Sequence, residues 1–394
     1  MSNKFKVTIV VPGKFHAFYL ARGLQKKKVL KSIITSYPKF LVIKDGIEKT
    51  FIKSIFTKEI IERILLKLKL NNLLSKLYFY INLMFEYISS FKIHYKETDI
   101  IVCWSGIAEQ SFIKAKNKNK KIIKILERGS SHIVYQNKIL LEEYKRLGIQ
   151  KNSIDPKIIN KEIREYDLAD YIFVPSLFSK NTFIENGINE KKIIKVPYGV
   201  DLDEFFKLDY KINDFTIIST GQISIRKGSI YLLEAFQELD LKNCKLVMVG
   251  NIENSFKNHL EKYFLNPNII FKSHVKQKNL NELYNKSHLF VSSSLEEGLA
   301  MVQVQAMACG LPIICTTNSG GAEIVDEGIN GFVCPIRNIN YLKNKIKYFY
   351  DNRDQCQIFG NNSYEKVRKK LSWNKYSENV NDEYKKLINQ RIIN

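Results

Sequence analysis

Ser294-Leu295-Glu296-Glu297-Gly298-Leu299-Ala300-Met301-Val302-Gln303-Val304-Gln305-Ala306-Met307-Ala308-Cys309-Gly310-Leu311-Pro312 is the stretch on which the reading of the fold turns. Upstream, Leu289 to Ser292 reads as a short buried strand, and Pro312 to Cys315 reads as another. Between them a helix is expected to begin near Ala300 to Val302 and to end at Gly310, with Pro312 past its cap. Strand, charged loop, helix and strand in that order form a βαβ unit of a parallel sheet. The loop at Glu297 would then aim a helix start at a neighbouring ligand, with unpaired N–H groups and a positive partial charge suited to anions. Glu297 is placed to accept hydrogen bonds from hydroxyls. Gln305, a little over two turns further on, can line the same side. Met301, Val304, Met307 and Ala308 read as core side chains.

The same alternation runs outward in both directions. Lys6 to Val11, Asp99 to Cys103, Lys121 to Leu126 and Tyr171 to Val174 read as strands, with helices over Ala17 to Lys27 and Ile107 to Ala115. The pattern pauses at Pro197 to Phe206. It resumes with strands at Phe215 to Ser219, Lys245 to Val249 and Ile269 to Phe271, and a helix from Ser229 to Leu239. The expected fold is therefore α/β, with two doubly wound Rossmann-like domains, 1–205 and 206–372, facing a cleft. Ligands of such sheets bind at the carboxyl ends of the strands.

Two further loops of the second block suit phosphate. Gly221-Gln222-Ile223-Ser224-Ile225-Arg226-Lys227-Gly228 sets two cations before a helix start. Arg226 can grip phosphate as a fork and Lys227 as a point charge; a plain basic turn is the alternative. Thr317-Asn318-Ser319-Gly320-Gly321-Ala322-Glu323 allows close backbone approach to a ligand, or is an ordinary turn.

In their order these three loops resemble the C-terminal half of glycosyltransferase family 4, a family with the GT-B fold. The family pattern is a G-R-L-x-x-x-K-G-like loop, then S-x-x-E-G-F-G-x-x-x-x-E-A-M-A-C-G-x-P, then G-G-x-x-E. Asp167 to Ser176, Val196-Pro197-Tyr198-Gly199-Val200-Asp201 with Phe205, and Ser372-Trp373 with its helical tail are similar to further family segments. The resemblance implies that residues 373–394 cross back to an N-terminal acceptor-binding domain. It also implies a nucleotide-sugar donor, transfer with retention, and no metal or other cofactor. By the same resemblance Arg226 and Lys227 bind the donor diphosphate, Glu297 contacts the sugar, and Gly298, Leu299, Ala300, Met301 and Val302 offer backbone amides. Gly221 belongs to the donor loop, and His274 and Val275 border the base. Gln305 stands where the family has a second Glu for the ribose, and Gln222 stands where it has Arg. In the first domain, Gly13, Phe15, His16 and Arg128 are acceptor-side candidates. His132 is expected beside the transferred sugar, with a capping or packing role as the alternative.

Charge and composition bound the remaining possibilities. The 394 residues carry a net charge of +22, with 45% hydrophobic and 26% charged residues. That balance fits two cored domains and admits anionic partners. No nucleic-acid motif appears, and aromatics do not interleave with the basic run at Lys116 to Lys121, so a nucleic-acid partner is not expected. A nucleotide-sugar epimerase of the same architecture is the rival enzyme. The six cysteines show no ligand spacing, the opening MSNKFKVTIVVPG reads as a strand without a signal peptide, and a cytoplasmic protein is expected. Lys53, Lys58, Arg63, Lys67 and Lys69 mix with Ile, Leu and Phe ahead of the apolar Leu77 to Phe85. This basic amphipathic segment reads either as two surface helices packed on a core or as a face resting on an anionic membrane. The acceptor expected from it is a glycan or a lipid-linked glycan of a bacterial envelope, made into polysaccharide or lipopolysaccharide.

Overall fold

The computed structural model describes residues 5–150, 154–211 and 213–393. Met1 to Lys4, read above as part of the protein's opening, lie outside the described residues. The first seven strands are β1 (Val7–Val11), β2 (Leu30–Thr35), β3 (Ile52–Ser54), β4 (Ile100–Trp104), β5 (Ile123–Glu127), β6 (Tyr171–Val174) and β7 (Ile193–Lys195). They form one parallel sheet in the order β3-β2-β1-β4-β5-β6-β7. The next six are β8 (Phe215–Thr220), β9 (Cys244–Val249), β10 (Ile269–Lys272), β11 (Leu289–Ser292), β12 (Ile313–Thr316) and β13 (Gly331–Cys334). They form a second parallel sheet, β10-β9-β8-β11-β12-β13. Every residue of Val7–Val11 is buried, as expected of a central parallel strand covered by helices on both faces. Burying each such Val or Ile stabilises the fold by roughly 1.5–3 kcal/mol.

Each sheet reverses its winding once, between β1 and β4 and between β8 and β11. The crevice of a doubly wound sheet opens at that point. The loops after β1, β4, β8 and β11 are therefore the ones that the topology sets around a ligand.

The last helix, Trp373–Ile393, returns to the first domain and packs on the Ala17–Lys26 helix. A Cβ at Gly23 would stand 2.2 Å from the Ser377 Cβ, so glycine sets this close approach. The Trp373 ring stacks on Tyr19 with centroids 4.4 Å apart. The hinge strand is tied to it by Val200 N–H donating to the Leu371 carbonyl at 2.8 Å.

Two local readings need correction. The helix after β4 starts at Glu109, not Ile107. The buried Glu165 carboxylate accepts hydrogen bonds from the backbone of Gly106, Ala108 and Glu109, and this holds the preceding turn out of the helix. Strands β2, β3, β7 and β13 also went unread. The first three mix Lys or Ser into short runs, and such runs lack a clear period.

The basic segment forms two helices, Thr57–Lys67 and Asn71–Phe91, that pack on each other. Glu86, which interrupts the apolar run, is fully buried and pairs with Lys161 at 2.7 Å. Among the described residues no helix is long and apolar enough to cross a membrane. The six cysteines are buried and unbridged.

Candidate active site

The three loops of the second domain are laced into one array. The Leu295 N–H donates to the Arg226 carbonyl at 2.9 Å, and the Glu297 N–H donates to the Asn318 carbonyl at 2.8 Å. Gly228 has φ +57°, and a Cβ there would lie 2.1 Å from the Ser293 carbonyl oxygen, so glycine alone fits where the basic loop enters the Ser229–Leu239 helix. Arg226 pairs with Glu296 at 3.0 Å and with Glu297 at 3.1 Å. Lys227 pairs with Glu297 as well. Glu297 in particular, against the cost of burial and aided by Glu296, raises the Arg226 guanidinium's hold on its proton. Burial opposes ionisation of Glu297, but Lys227 and Arg226 overcome it and keep its carboxyl below the ordinary range. The Met301–Ala308 helix starts beside these groups, with no side-chain cap and no acidic residue in its first turn. Its first amide groups are thus left to the site.

Two cavities meet along this helix start. One, about 440 Å³, lies between the domains, and Arg226, Glu297, Leu299 and Met301 reach it from the second domain. The other, about 360 Å³, is walled by Gly221, Gln222, Asn251, His274, Val275 and Val302. The chain from Leu299 to Val302 stands between them, and Lys227 lines neither, walling instead a smaller recess with Gly221 and Gln222. Gln305 lines neither cavity. Its Oε1 is buried with no hydrogen-bond partner among the described residues. Gly298 and Ala300 are also absent from the walls. A Cβ at Gly298 would stand 2.3 Å from the Gly129 carbonyl oxygen of the first domain. Ala300 is buried at the helix cap.

The first domain supplies Phe15, His16 and Arg128 to the larger cavity, and Pro12 there rather than Gly13. Phe15 is exposed at φ +38°. Its ring covers Gly13, where a Cβ would meet it at 3.0 Å. Arg128 is buried, and its donors are committed to Glu162, Ser131 and Gln136. Burial works against its charge, yet Glu162 with Tyr166 and Glu296 more than compensates. His16 packs at a tilt against Tyr198 and Trp104, with ring centroids 4.3 and 5.0 Å away, and its Nε2 lies 3.5 Å from the Glu127 carboxylate. His132 stands apart from the cavity. Its Nδ1 accepts from the Val134 N–H as a helix cap, and its ring packs against Tyr166 and Phe183. It does not line the cavity. Burial, with the Arg128 charge, lowers its pKa to about 4. The capping alternative describes it, and His16 is the histidine that faces the cleft.

Residues 201–366 match the sequence profile of the family Glycosyl transferases group 1. The chain carries that domain and is a glycosyltransferase. An uncharacterized glycosyltransferase of Methanocaldococcus jannaschii is 27% identical over 299 residues, 72% of this chain and 71% of its own length. The capsular polysaccharide biosynthesis glycosyltransferase CapM of Staphylococcus aureus is 25% identical over 230 residues, 54% of this chain and 60% of its own. The fold is similar to sucrose-phosphate synthase of Thermosynechococcus elongatus, with TM-score 0.74 and 15% identity over 98% of this chain and 100% of that one. It is also similar to Anabaena HepE solved with UDP, with TM-score 0.70 and 14% identity over 97% of this chain and 100% of that one. Both are at the fold level, and the architecture is GT-B.

The cleft of the glycosyltransferase also holds residues that the sequence did not single out. Glu296 is fully buried and accepts from Ser130 Oγ, the Ser131 N–H and the Gln136 side chain while pairing with Arg226. It therefore locks the first domain to the Arg226 loop. Its neighbour Glu297 was read, but adjacent loop residues can face opposite ways, and no periodicity reveals that. Glu127, Trp104 and Tyr198, which surround His16, come from separate elements. Among the described residues no group of three or more His, Cys, Asp or Glu side chains could hold a metal ion.

Proposed function

We propose that this glycosyltransferase moves a sugar from a nucleotide-diphosphate donor, seated on the second domain, to a hydroxyl of a glycan or lipid-linked acceptor entering from the first. The meeting of Arg226 and the Met301–Ala308 helix start at the wall of the interdomain cavity, with Lys227 paired to Glu297 beside them, carries this reading. The base occupies the slot of His274, Val275 and Val302. The diphosphate lies against the helix start and the two cations. The sugar projects into the larger cavity beside Glu297, whose carboxylate accepts its hydroxyls. In the transfer, the acceptor oxygen bonds to the anomeric carbon as the bond from that carbon to the phosphate oxygen breaks, and the acceptor's hydroxyl proton passes to the departing diphosphate. Negative charge then grows on the diphosphate where the cations and amides already point. Closure of the domains excludes water from the reacting centre.

The resemblance to glycosyltransferase family 4 supports retention of configuration, and CapM's name supports a role in envelope polysaccharide or lipopolysaccharide synthesis. The protein works in the cytoplasm or on the inner face of the cytoplasmic membrane. No metal enters this reading, because protein cations carry the neutralisation. Lys227→Ala tests it. Loss of a preorganised group at a developing charge lowers turnover by about 10²–10³-fold, while Arg226 still pairs with Glu297 and the fold persists. Wild-type turnover in that variant would overturn the proposal.

A further inference from the structure

The Asn71–Phe91 helix has two dissimilar faces. Tyr78, Phe79 and Asn82 reach the interdomain cavity. Leu73, Leu77, Tyr80, Tyr87 and Phe91 stand exposed. They continue a patch formed by Ile60, Ile64, Leu66, Leu68 and Leu70 on and after the Thr57–Lys67 helix. Exposed side chains of this size, gathered on one hairpin, exceed the scattered apolar residues of ordinary surfaces.

The charge around the patch has one sign. From Arg63 to Phe85 the sequence contains Arg63, Lys67, Lys69 and Lys76 and no Asp or Glu. The acids just before this stretch face inward: Glu62 pairs with the buried Lys58 at 2.8 Å, and Glu59 accepts from Ser36 at 2.8 Å. Lys67, Lys69 and Lys76 are exposed. Lys69 and Lys76 flank a recess of about 540 Å³ at the hairpin corner, closed on its far side by Asn254 of the second domain. An apolar corner with exposed lysines, and with no acid in the chain between Arg63 and Phe85, complements an acidic bilayer: hydrocarbon takes the leucines and headgroups take the lysines.

We propose that this hairpin docks on an anionic lipid bilayer and that the acceptor is lipid-linked, its hydrocarbon anchor held in that bilayer and its sugar end reaching the cavity past Tyr78 and Phe79. The proposal rests on the transfer function above, and it names the acceptor class for the same site. The same helix that touches lipid outside forms the cavity wall inside, so docking sets the cleft mouth at the membrane surface, where an anchored acceptor is concentrated.

The test uses the full-length protein and sedimentation with two kinds of vesicle, pure phosphatidylcholine and equal parts phosphatidylcholine and phosphatidylglycerol. The protein is expected to bind the anionic vesicles and to be released by high salt. A juxtamembrane lysine is worth about a factor of five in partitioning, so the triple variant Lys67→Gln/Lys69→Gln/Lys76→Gln should bind on the order of 100-fold more weakly. Leu66→Gln/Leu68→Gln should weaken binding at every salt concentration. None of these residues lines either cavity of the site, so stabilisation by nucleoside diphosphates stays unchanged in both variants. Loss of that stabilisation in the wild type would count against the transfer function instead. Equal binding to both vesicles, or undiminished binding by the lysine variant, would overturn the docking. The acceptor class is read by supplying radiolabelled nucleotide sugars with membranes of the source cell. Label is expected in the organic-solvent extract, and label appearing only in water-soluble glycan would overturn the lipid-linked acceptor.

Discussion

The two halves of the cleft are built by different means. In the second domain, Arg226, Lys227 and Glu297 come from two loops that follow β8 and β11, strands that pair side by side. Each loop leads from a strand toward a helix, so its chemistry is written in a few consecutive residues. In the first domain, His16 follows β1, Glu127 ends β5, Tyr198 belongs to the hinge, and Trp373 and Tyr376 arrive on the last helix. Nothing local in the sequence joins them. The second domain's side of the cleft is thus a set of motifs, while the first domain's side is a product of topology. A diphosphate asks for the same cations and amides whatever sugar it carries, whereas an acceptor's shape must be matched by a surface assembled from many elements.

Glu296 joins the halves, and removing it should have the largest effect. Breaking a buried, hydrogen-bonded ion pair by deleting one partner costs about 3–5 kcal/mol. Glu296→Ala is expected to lower stability in urea unfolding by about that amount and to loosen the domains, because Ser130, Ser131 and Gln136 lose their common acceptor. An unfolding midpoint equal to the wild type's would break the claim that this carboxylate clamps the cleft.

His16→Ala sharpens the comparison, because it strikes the first domain alone. A hydrogen bond to a charged group contributes about 1.5–3 kcal/mol, so loss of an acceptor contact there should slow transfer by about 10–100-fold. Binding of nucleoside diphosphate should be unaltered in the same variant. Impaired diphosphate binding would mean that the halves are not separable in this way.

An effect spread over pH, and on stability alone, concerns His132. Its pKa falls to about 4 in the folded state from about 6.5 in an unfolded chain. The stability that goes with the neutral ring is fully present above pH 6.5 and is lost as pH falls through 4. In urea unfolding between pH 7 and 4, the wild type should lose at most about 1.4 kcal/mol per pH unit to this group. His132→Asn, which keeps a capping side chain, should show a flatter profile. An unchanged slope would contradict the buried neutral cap.

This contrast also explains what the sequence made legible. The two sheets followed from apolar runs, and the Met301–Ala308 helix from its glycine and proline stops. Arg226 and Lys227 pair with Glu297, whose N–H donates to the Asn318 carbonyl, so the three loops lie together. For His132 the sequence left two readings, because a histidine between a strand and a helix looks the same whether it caps the helix or faces a ligand. The difference lies in Tyr166 and Phe183, which enclose its ring from distant helices. Glu86 looked like an interruption of an apolar run, but Lys161 on another helix pairs with it. In each case the deciding partner is far away in sequence.

Calorimetric titration of UDP, GDP and ADP, each against its own nucleoside, addresses the central claim most directly when run on the wild type and on Lys227→Ala. At least one diphosphate should bind the wild type more than about tenfold tighter than its nucleoside, and the variant should weaken it by about 10–100-fold, the worth of one charge-assisted hydrogen bond. Diphosphates binding no tighter than nucleosides, or binding both proteins equally, would contradict a pyrophosphate site at Arg226, Lys227 and the Met301–Ala308 helix start.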